Sequence, residues 1–327
     1  MMPSFAAGGT LPRTGATAGS DRARRSFRKG AARVRSGDRR GRSLSKSNST
    51  CLSYAMHETV IEPGKNLKDF WRELWAYREL FLFLAWRDIL VRYKQTVIGV
   101  AWSVLRPLLS LIILTIVFGR VARLPSDNVP YSILVCAAIL PWQFFSNTIT
   151  TSSESLLSNQ NMITKIYFPR IIIPSTTMVV SLVDFLSALG ILACLMLWHG
   201  LWPTWRIVVL PALLLLAAAA SLGVGYWISA LNVKYRDFRH VVPFAVQFGL
   251  YASPVGFSSN VIPEKWRFWY SLNPMVGVID GFRWALLGGQ ANLYLPGFLL
   301  AIGLAVVIFA SGVRFFTRTE RVFADII

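Results

Sequence analysis

The sequence predicts an all-α integral membrane protein. It should have six transmembrane helices, an N-terminal amphipathic interfacial helix, and short re-entrant gate helices between helices 5 and 6. Three observations predict this. The 327 residues are 54% hydrophobic and only 15% charged, whereas soluble domains carry about a quarter charged residues. Several stretches reach the roughly 20 apolar residues that cross about 30 Å of hydrocarbon as a helix. Basic residues flank those stretches, where they set topology.

The chain divides into three parts. Residues 1–55 are rich in Arg, Ser and Gly, lack apolar periodicity and should be a disordered basic tail. Residues 1–50 hold 12 Lys/Arg against 2 acids, which accounts for more than half of the net charge of +18. Two readings stand: a cytoplasmic arm on anionic lipid, or a start-site artefact with translation beginning at Met56. The abrupt change of composition there favours the second. Nucleic-acid binding is not expected, since no soluble reading domain accompanies the charge.

Residues 56–97 form the interfacial region. Leu67, Phe70, Leu74, Tyr77, Phe81, Leu84 and Val91 follow a three-four spacing and share one helix face. Lys68, Arg72 and Glu79 lie off that stripe, while Trp71, Trp75 and Trp86 widen it. Such a helix suits the membrane–water boundary; the alternative is a soluble helix packed on a partner.

Residues 98–327 form the membrane domain, with spans expected at 98–121, 131–149, 171–198, 207–231, 241–262 and 296–316. The fifth is interrupted by Pro243, Pro254 and Gly256. Arg87, Arg92, Lys94, Lys165, Arg170, Lys234, Arg236, Arg239, Arg314, Arg318 and Arg321 fall on one side. Arg120, Arg123, Arg206, Lys265, Arg267 and Arg283 fall on the other. The richer side should be cytoplasmic, together with both termini.

Three features point to function. The polar loop 150–170 carries the apolar anchors Leu156, Leu157, Met162, Ile163 and Ile166; it reads either as a short helix docking on a soluble partner or as an ordinary connection. Arg106 and Asp184 lie within spans, where buried charge is costly and finds a partner. They pair with each other, or Arg106 meets an anionic substrate, or Arg106 snorkels to the cytoplasmic boundary. Residues 263–295 suggest two short helices around an Asn273-Pro274 turn, with Asp280 and Arg283 placed to pair at i and i+3. Segments that dip without spanning survive beside a pathway, so this element reads as a gate or as a surface cap. Among the abundant aromatics, Trp102, Trp142, Phe144, Phe248 and Tyr251 are candidates to line a passage, where ring faces would suit a glycan.

Catalysis is not expected. The only Gly-Lys pair is Gly64-Lys65, and Thr59 stands where a phosphate loop needs its first glycine. No HExxH, DxD or metal-spaced His/Cys group occurs. Cys51, Cys136 and Cys194 support neither a disulfide framework nor a zinc site. The energy for any transport must come from another chain.

From about Val60 onward the sequence resembles the membrane subunit of ABC-2-type exporters of cell-surface polysaccharides, the O-antigen, capsule and teichoic acid permeases. The matching stretches are RDILVRYKQT from Arg87, GVAW from Gly99, Arg106-Pro107, LPWQFF from Leu140, KIYFPR from Lys165, NVKYRDF from Asn232 and SLNPM from Ser271. The resemblance implies a homodimer with a separate cytoplasmic ABC ATPase, which binds the ATP and Mg. It implies that 150–170 is the coupling segment, through Glu154, Leu157, Met162, Lys165 and Arg170. It places Arg87, Arg92 and Lys94 against the pyrophosphate of a lipid-linked glycan. It also makes 263–290, including Asn273, Pro274, Asp280 and Arg283, the external gate. The expected function is ATP-driven export of lipid-linked polysaccharide across the bacterial inner membrane. The alternatives are export of a small drug or lipid by the same fold, or a membrane-embedded glycosyltransferase.

Overall fold

The computed structural model describes residues 72–320, apart from 73, 95–96, 126–128, 203, 236 and 289–292, together with Phe323. Side chains of 97–103 also fall outside the description. The basic tail, the first part of the expected interfacial stripe and the side chain of Trp102 therefore lie outside the described residues. Those described belong to one unit, Glu62–Ile327.

Among the described residues every regular element is helical. In chain order these are α1 (Arg78–Lys94), α2 (Val97–Leu114), α3 (Tyr131–Ser158), α4 (Gln160–Ile163), α5 (Ile172–Trp198), α6 (Leu210–Lys234), α7 (Phe238–Ala252), α8 (Glu264–Tyr270), α9 (Pro274–Leu286) and α10 (Leu295–Thr319). A π-helical stretch, Thr115–Val121, extends α2, and a 3-10 turn, Trp205–Val209, leads into α6. Five helical segments are long and apolar enough to cross a membrane: Val104–Val121, Tyr131–Ser158, Ile172–Trp198, Trp205–Lys234 and Leu295–Thr319. The chain is a multi-pass integral membrane protein.

The expected fifth span, 241–262, is shorter in the structure. Its helix, α7, has 15 residues, or about 22 Å at 1.5 Å per residue, short of the roughly 30 Å hydrocarbon layer. The chain leaves the helix before Pro254 and is then bound to other elements by its backbone: the Tyr131 hydroxyl donates to the Gly256 carbonyl.

The second span runs the other way and overshoots its expected end by nine residues, to Ser158. The polar run 150–158 is therefore helix rather than loop. Its hydroxyls turn back onto the preceding turn, as Thr150 does onto the Ser146 carbonyl at 2.8 Å and Thr151 onto Asn147 at 2.6 Å. Polar composition is compatible with a membrane helix when each hydroxyl is satisfied in this way.

α3 is the central rod and the most buried of the five candidate spans. It packs against α5, α6 and α9, while α10 closes on α6 and α9. Towards its start it meets α2, α5, α6 and α9 in one apolar cluster that includes Ile133, Leu140, Phe185, Leu213 and Phe282. Towards its end a second cluster joins Leu156 to Leu84 of α1, Ile163, Phe168, Ile172, Tyr226, Val313 and Phe316. Between α3, α5 and α6 the adhesive is polar: Ser152 Oγ donates to the Pro174 carbonyl at 2.9 Å, and Asn232 Nδ2 to the Ser153 carbonyl at 2.6 Å. Where α6 crosses α10, a Cβ on Gly223 would stand 2.7 Å from the backbone of Ile308 and Phe309. The Gly277 and Gly281 pair works similarly, admitting Ala301 and Leu213 against α9.

At the end opposite the 159–170 turn, Trp198, Trp202, Trp205, Trp266 and Trp269 are exposed. Amphipathic rings of this kind collect at a membrane–water boundary.

Candidate functional site

A groove of about 310 Å³ runs between α2, α3 and α7. Its walls include Ser110, Trp142, Gln143, Ser146, Asn147, Thr150 and Gln247. Four of these, at 143, 146, 147 and 150, repeat at i, i+3, i+4 and i+7 and therefore share one face of α3. This is a polar stripe along a helix whose composition otherwise suits lipid. That spacing is legible in the sequence, but reading 150 onward as loop hides it.

A smaller cavity of about 70 Å³ adjoins the groove, with Gln143 and Asn147 lining both. Its wall also includes Arg92, Arg106, Phe144, Ser181, Asp184 and Phe185. Asp184 does not pair with Arg106. Its Oδ2 stands 2.6 Å from Arg92 Nη2, and its Oδ1 accepts from the Tyr93 hydroxyl at 2.5 Å. Among the described residues no acid pairs with Arg106, so its guanidinium brings an uncompensated charge to this cavity. An arginine next to amide and hydroxyl groups in a water-accessible recess can bind a phosphoryl or carboxylate oxygen.

Of the other expected pathway residues, Trp142 lines the groove and Phe144 is buried in the cavity wall. Phe248 and Tyr251 do not line it; they project outward from α7, 67% and 60% exposed. Lys94 is exposed, and Arg87 donates to Asn159 Oδ1 at 2.9 Å. The expected interfacial stripe is only partly used. Leu74, Tyr77, Phe81 and Leu84 face the bundle, whereas Val91 and Trp86 are exposed. α1 runs alongside α5, with Asp88 at Thr176 and Tyr93 at Asp184.

The expected coupling residues separate. Glu154 lies on α3, 3.4 Å from Arg239 at the head of α7. Leu157 and Met162 are half-buried, and Met162 packs on the α1–α10 cluster. The Arg170 amide donates to Glu320 Oε1 at 2.7 Å and its guanidinium to the Glu320 carbonyl at 2.9 Å, so it holds the end of α10. Lys165 is exposed beside Ile166 and Tyr167, 60% and 52% exposed. These two apolar neighbours make the surface of the turn, and their place in the KIYFPR motif was the signal for them.

At the opposite end, α9 is neither a surface cap nor loosely held. Asn273 caps it by accepting from the Met275 amide and donates to Ser253 Oγ at 2.9 Å; Pro274 opens the helix. Asp280 accepts from Ser259 at 2.6 Å. Arg283, only 3% exposed, donates to the carbonyls of Leu134, Phe257 and Val255 at 3.3, 2.8 and 3.2 Å. Burial, with the Asp280 carboxylate close by, holds the Tyr270 phenol above its usual range.

Residues 79–287 match the family model described as ABC-2 type transporter. The chain belongs to the ABC-2 type transporter family. The ABC-2 match begins inside α1 and ends just past α9, so the groove, the cavity and the buried Arg283 all fall within it. Similar proteins include the O-antigen export system permease protein RfbA of Myxococcus xanthus, 28% identical over 252 residues, covering 76% of this chain and 96% of that one. RfbA of Klebsiella pneumoniae is 29% identical over 239 residues, covering 70% and 90%. The polysialic acid transport protein KpsM of Escherichia coli is 23% identical over 253 residues, covering 73% and 92%. Among the described residues no group of three His, Cys, Asp or Glu side chains is placed to hold a metal.

Proposed function

We infer that the chain is the membrane-spanning permease subunit of an ABC exporter of surface polysaccharide. The observation that carries this reading is the polar stripe of α3, which gives an apolar bundle a polar-lined groove. The O-antigen and polysialic acid transport proteins among its relatives support the substrate class. The groove opens to the side of a single chain, and the outward rings of Phe248 and Tyr251 on α7 suit a second copy. In a homodimer the two grooves would face each other as one conduit, with Trp142 offering a ring face to sugars.

The lipid-linked end of the glycan is anionic. Arg106 would take its phosphate from the side cavity, with Arg87, Arg92 and Lys94 along its approach. A separate ABC ATPase, holding ATP and Mg, would dock at the 159–167 turn through Lys165, Ile166 and Tyr167. Nucleotide-driven closure there would shift the helices between two populations. The elements α8 and α9 would close the external end. The setting is the bacterial inner membrane, both termini cytoplasmic.

Deleting the gene in its native host should abolish surface polysaccharide and leave lipid-linked glycan inside the cell, and the intact gene should restore export. Unchanged surface polysaccharide in the deletion strain would refute this function.

A further inference from the structure

The helix that carries Arg92 is fastened in two different ways along its length. Its first part is packed: Leu80, Phe81 and Leu84, with Leu74 and Tyr77 just before the helix, meet the cluster around Leu156 and Ile172, and Ala85 is buried. From Trp86 to Lys94 no residue is fully buried, and the side-chain ties to the neighbouring elements are polar. One tie lies at its middle, where Arg87 Nη2 donates to Asn159 Oδ1 at 2.9 Å. Asp88 orients that guanidinium at 2.7 Å and accepts from the Thr176 hydroxyl at 3.2 Å. The other tie lies at the end, where Asp184 takes both Arg92 and Tyr93.

Asn159 is the residue at which α3 stops and the 159–170 turn begins, and its own amide is anchored to the Ser155 carbonyl at 2.9 Å. Any displacement of that turn is therefore delivered directly to Arg87. Asp184 belongs to a different element, α5, and its side chain is only 12% exposed. A carboxylate there is anchored by its helix and holds Arg92 at the cavity mouth. Hydrogen bonds and ion pairs can exchange partners over small movements in a way that interlocked apolar packing cannot.

We propose that Asp184 is a positioning residue which, acting with Asn159, makes α1 follow the 159–170 turn, so that force applied at the turn is passed to Arg92. This rests on the exporter reading above. Asp184 acts through Arg92, setting where that guanidinium stands.

The test uses the full chain, tagged, in the deletion host. Surface polysaccharide, membrane abundance of the chain, and co-purified ATPase with its basal hydrolysis are measured for Asp184→Ala, Asn159→Ala, the double variant and Asp184→Glu. Each single Ala variant should cut export at least tenfold, with abundance, ATPase content and basal hydrolysis within twofold of wild type. The double variant should be no worse than the poorer single one, as expected for two links of one chain. Asp184→Glu should recover at least half of export. Export within twofold for both single variants, multiplicative losses in the double, or loss of the chain in parallel with export would overturn the proposal.

A second readout separates it from the exporter reading. Spin labels at Val91→Cys and Val307→Cys in the purified complex should change separation when ATP is added, and Asp184→Ala should remove that change. No change in the wild-type complex, or the same change in Asp184→Ala, overturns the linkage whatever the cargo is. Normal surface polysaccharide in the deletion strain, with the label response intact and Asp184-dependent, refutes the exporter reading and leaves the linkage standing.

Discussion

Arg106 and Arg283 show how differently one residue type behaves in this chain. Arg283 is enclosed and saturates three main-chain carbonyls, two of them in the segment after α7. Arg283→Met would leave those oxygens unpaired in the interior, at about 1–3 kcal/mol for each buried orphan. The expected outcome is a large fall in the thermal unfolding temperature of the detergent-purified protein. Arg106 has no acidic partner among the described residues, so Arg106→Ala should leave that temperature within about 2 °C of wild type, since surface-type changes stay within about 0.5 kcal/mol. Export should nevertheless fall severalfold, and Arg106→Lys should recover little of it if the ligand oxygens need a planar fork. Measuring export and unfolding temperature on the same preparations checks both expectations.

At the scale of elements, the tightest packing lies where α6 crosses α10 without a side chain at Gly223. Gly223→Ala would force a Cβ onto the backbone of Ile308 and Phe309, which cannot swing aside as a flexible side chain can. The expected cost is about 1–3 kcal/mol, typical of overpacking, read as lower chain abundance in membranes. The 159–170 turn carries a different expectation. Ile166→Ala with Tyr167→Ala should leave abundance unchanged and lower co-purified ATPase about tenfold, because apolar anchors of an interface contribute on the order of 1–2 kcal/mol each. Equal ATPase recovery would remove the docking role of this turn.

The apolar spans, the central position of hydrophobic segments and the family motifs were legible in the sequence because hydropathy and short ordered motifs are local signals. Three things were not, or only in part. The end of α3 was hidden because the hydroxyls of Thr150 and Thr151 satisfy themselves on their own helix, so polar composition imitates a loop. The shortness of α7 was only half legible: Pro254 and Gly256 mark the break, but Val255 and Ile262 continue the apolar composition after the helix stops, so the span reads as longer than it is. The partner of Asp184 was hidden because Arg92 lies 92 residues away in sequence, beyond any local pattern, whereas Arg106 shares its cavity without bonding to it.

For the whole molecule, the sideways opening of the groove predicts assembly. Labelled Phe248→Cys chains in native membranes should cross-link to one another, whereas Trp198→Cys chains, placed at the aromatic belt, should not. Purified complexes should contain two copies by subunit counting. A single copy would mean that the groove is closed by some other protein.

The composition of α3 has a consequence for how the protein is made. This rod is the least apolar of the five candidate spans and yet the most enclosed. Its stripe at 143, 146, 147 and 150 would face hydrocarbon if the helix left the insertion machinery alone, whereas the Ser152 hydroxyl finds its partners on α5 and the Ser153 carbonyl takes an amide from α6. The nascent chain should therefore keep α3 at the translocon until α5 and α6 have been synthesised, and release the three together. In stalled chains ending shortly after α3, a cross-linker placed on α3 should still capture the translocon, while in those extended past residue 234 that cross-link should be lost.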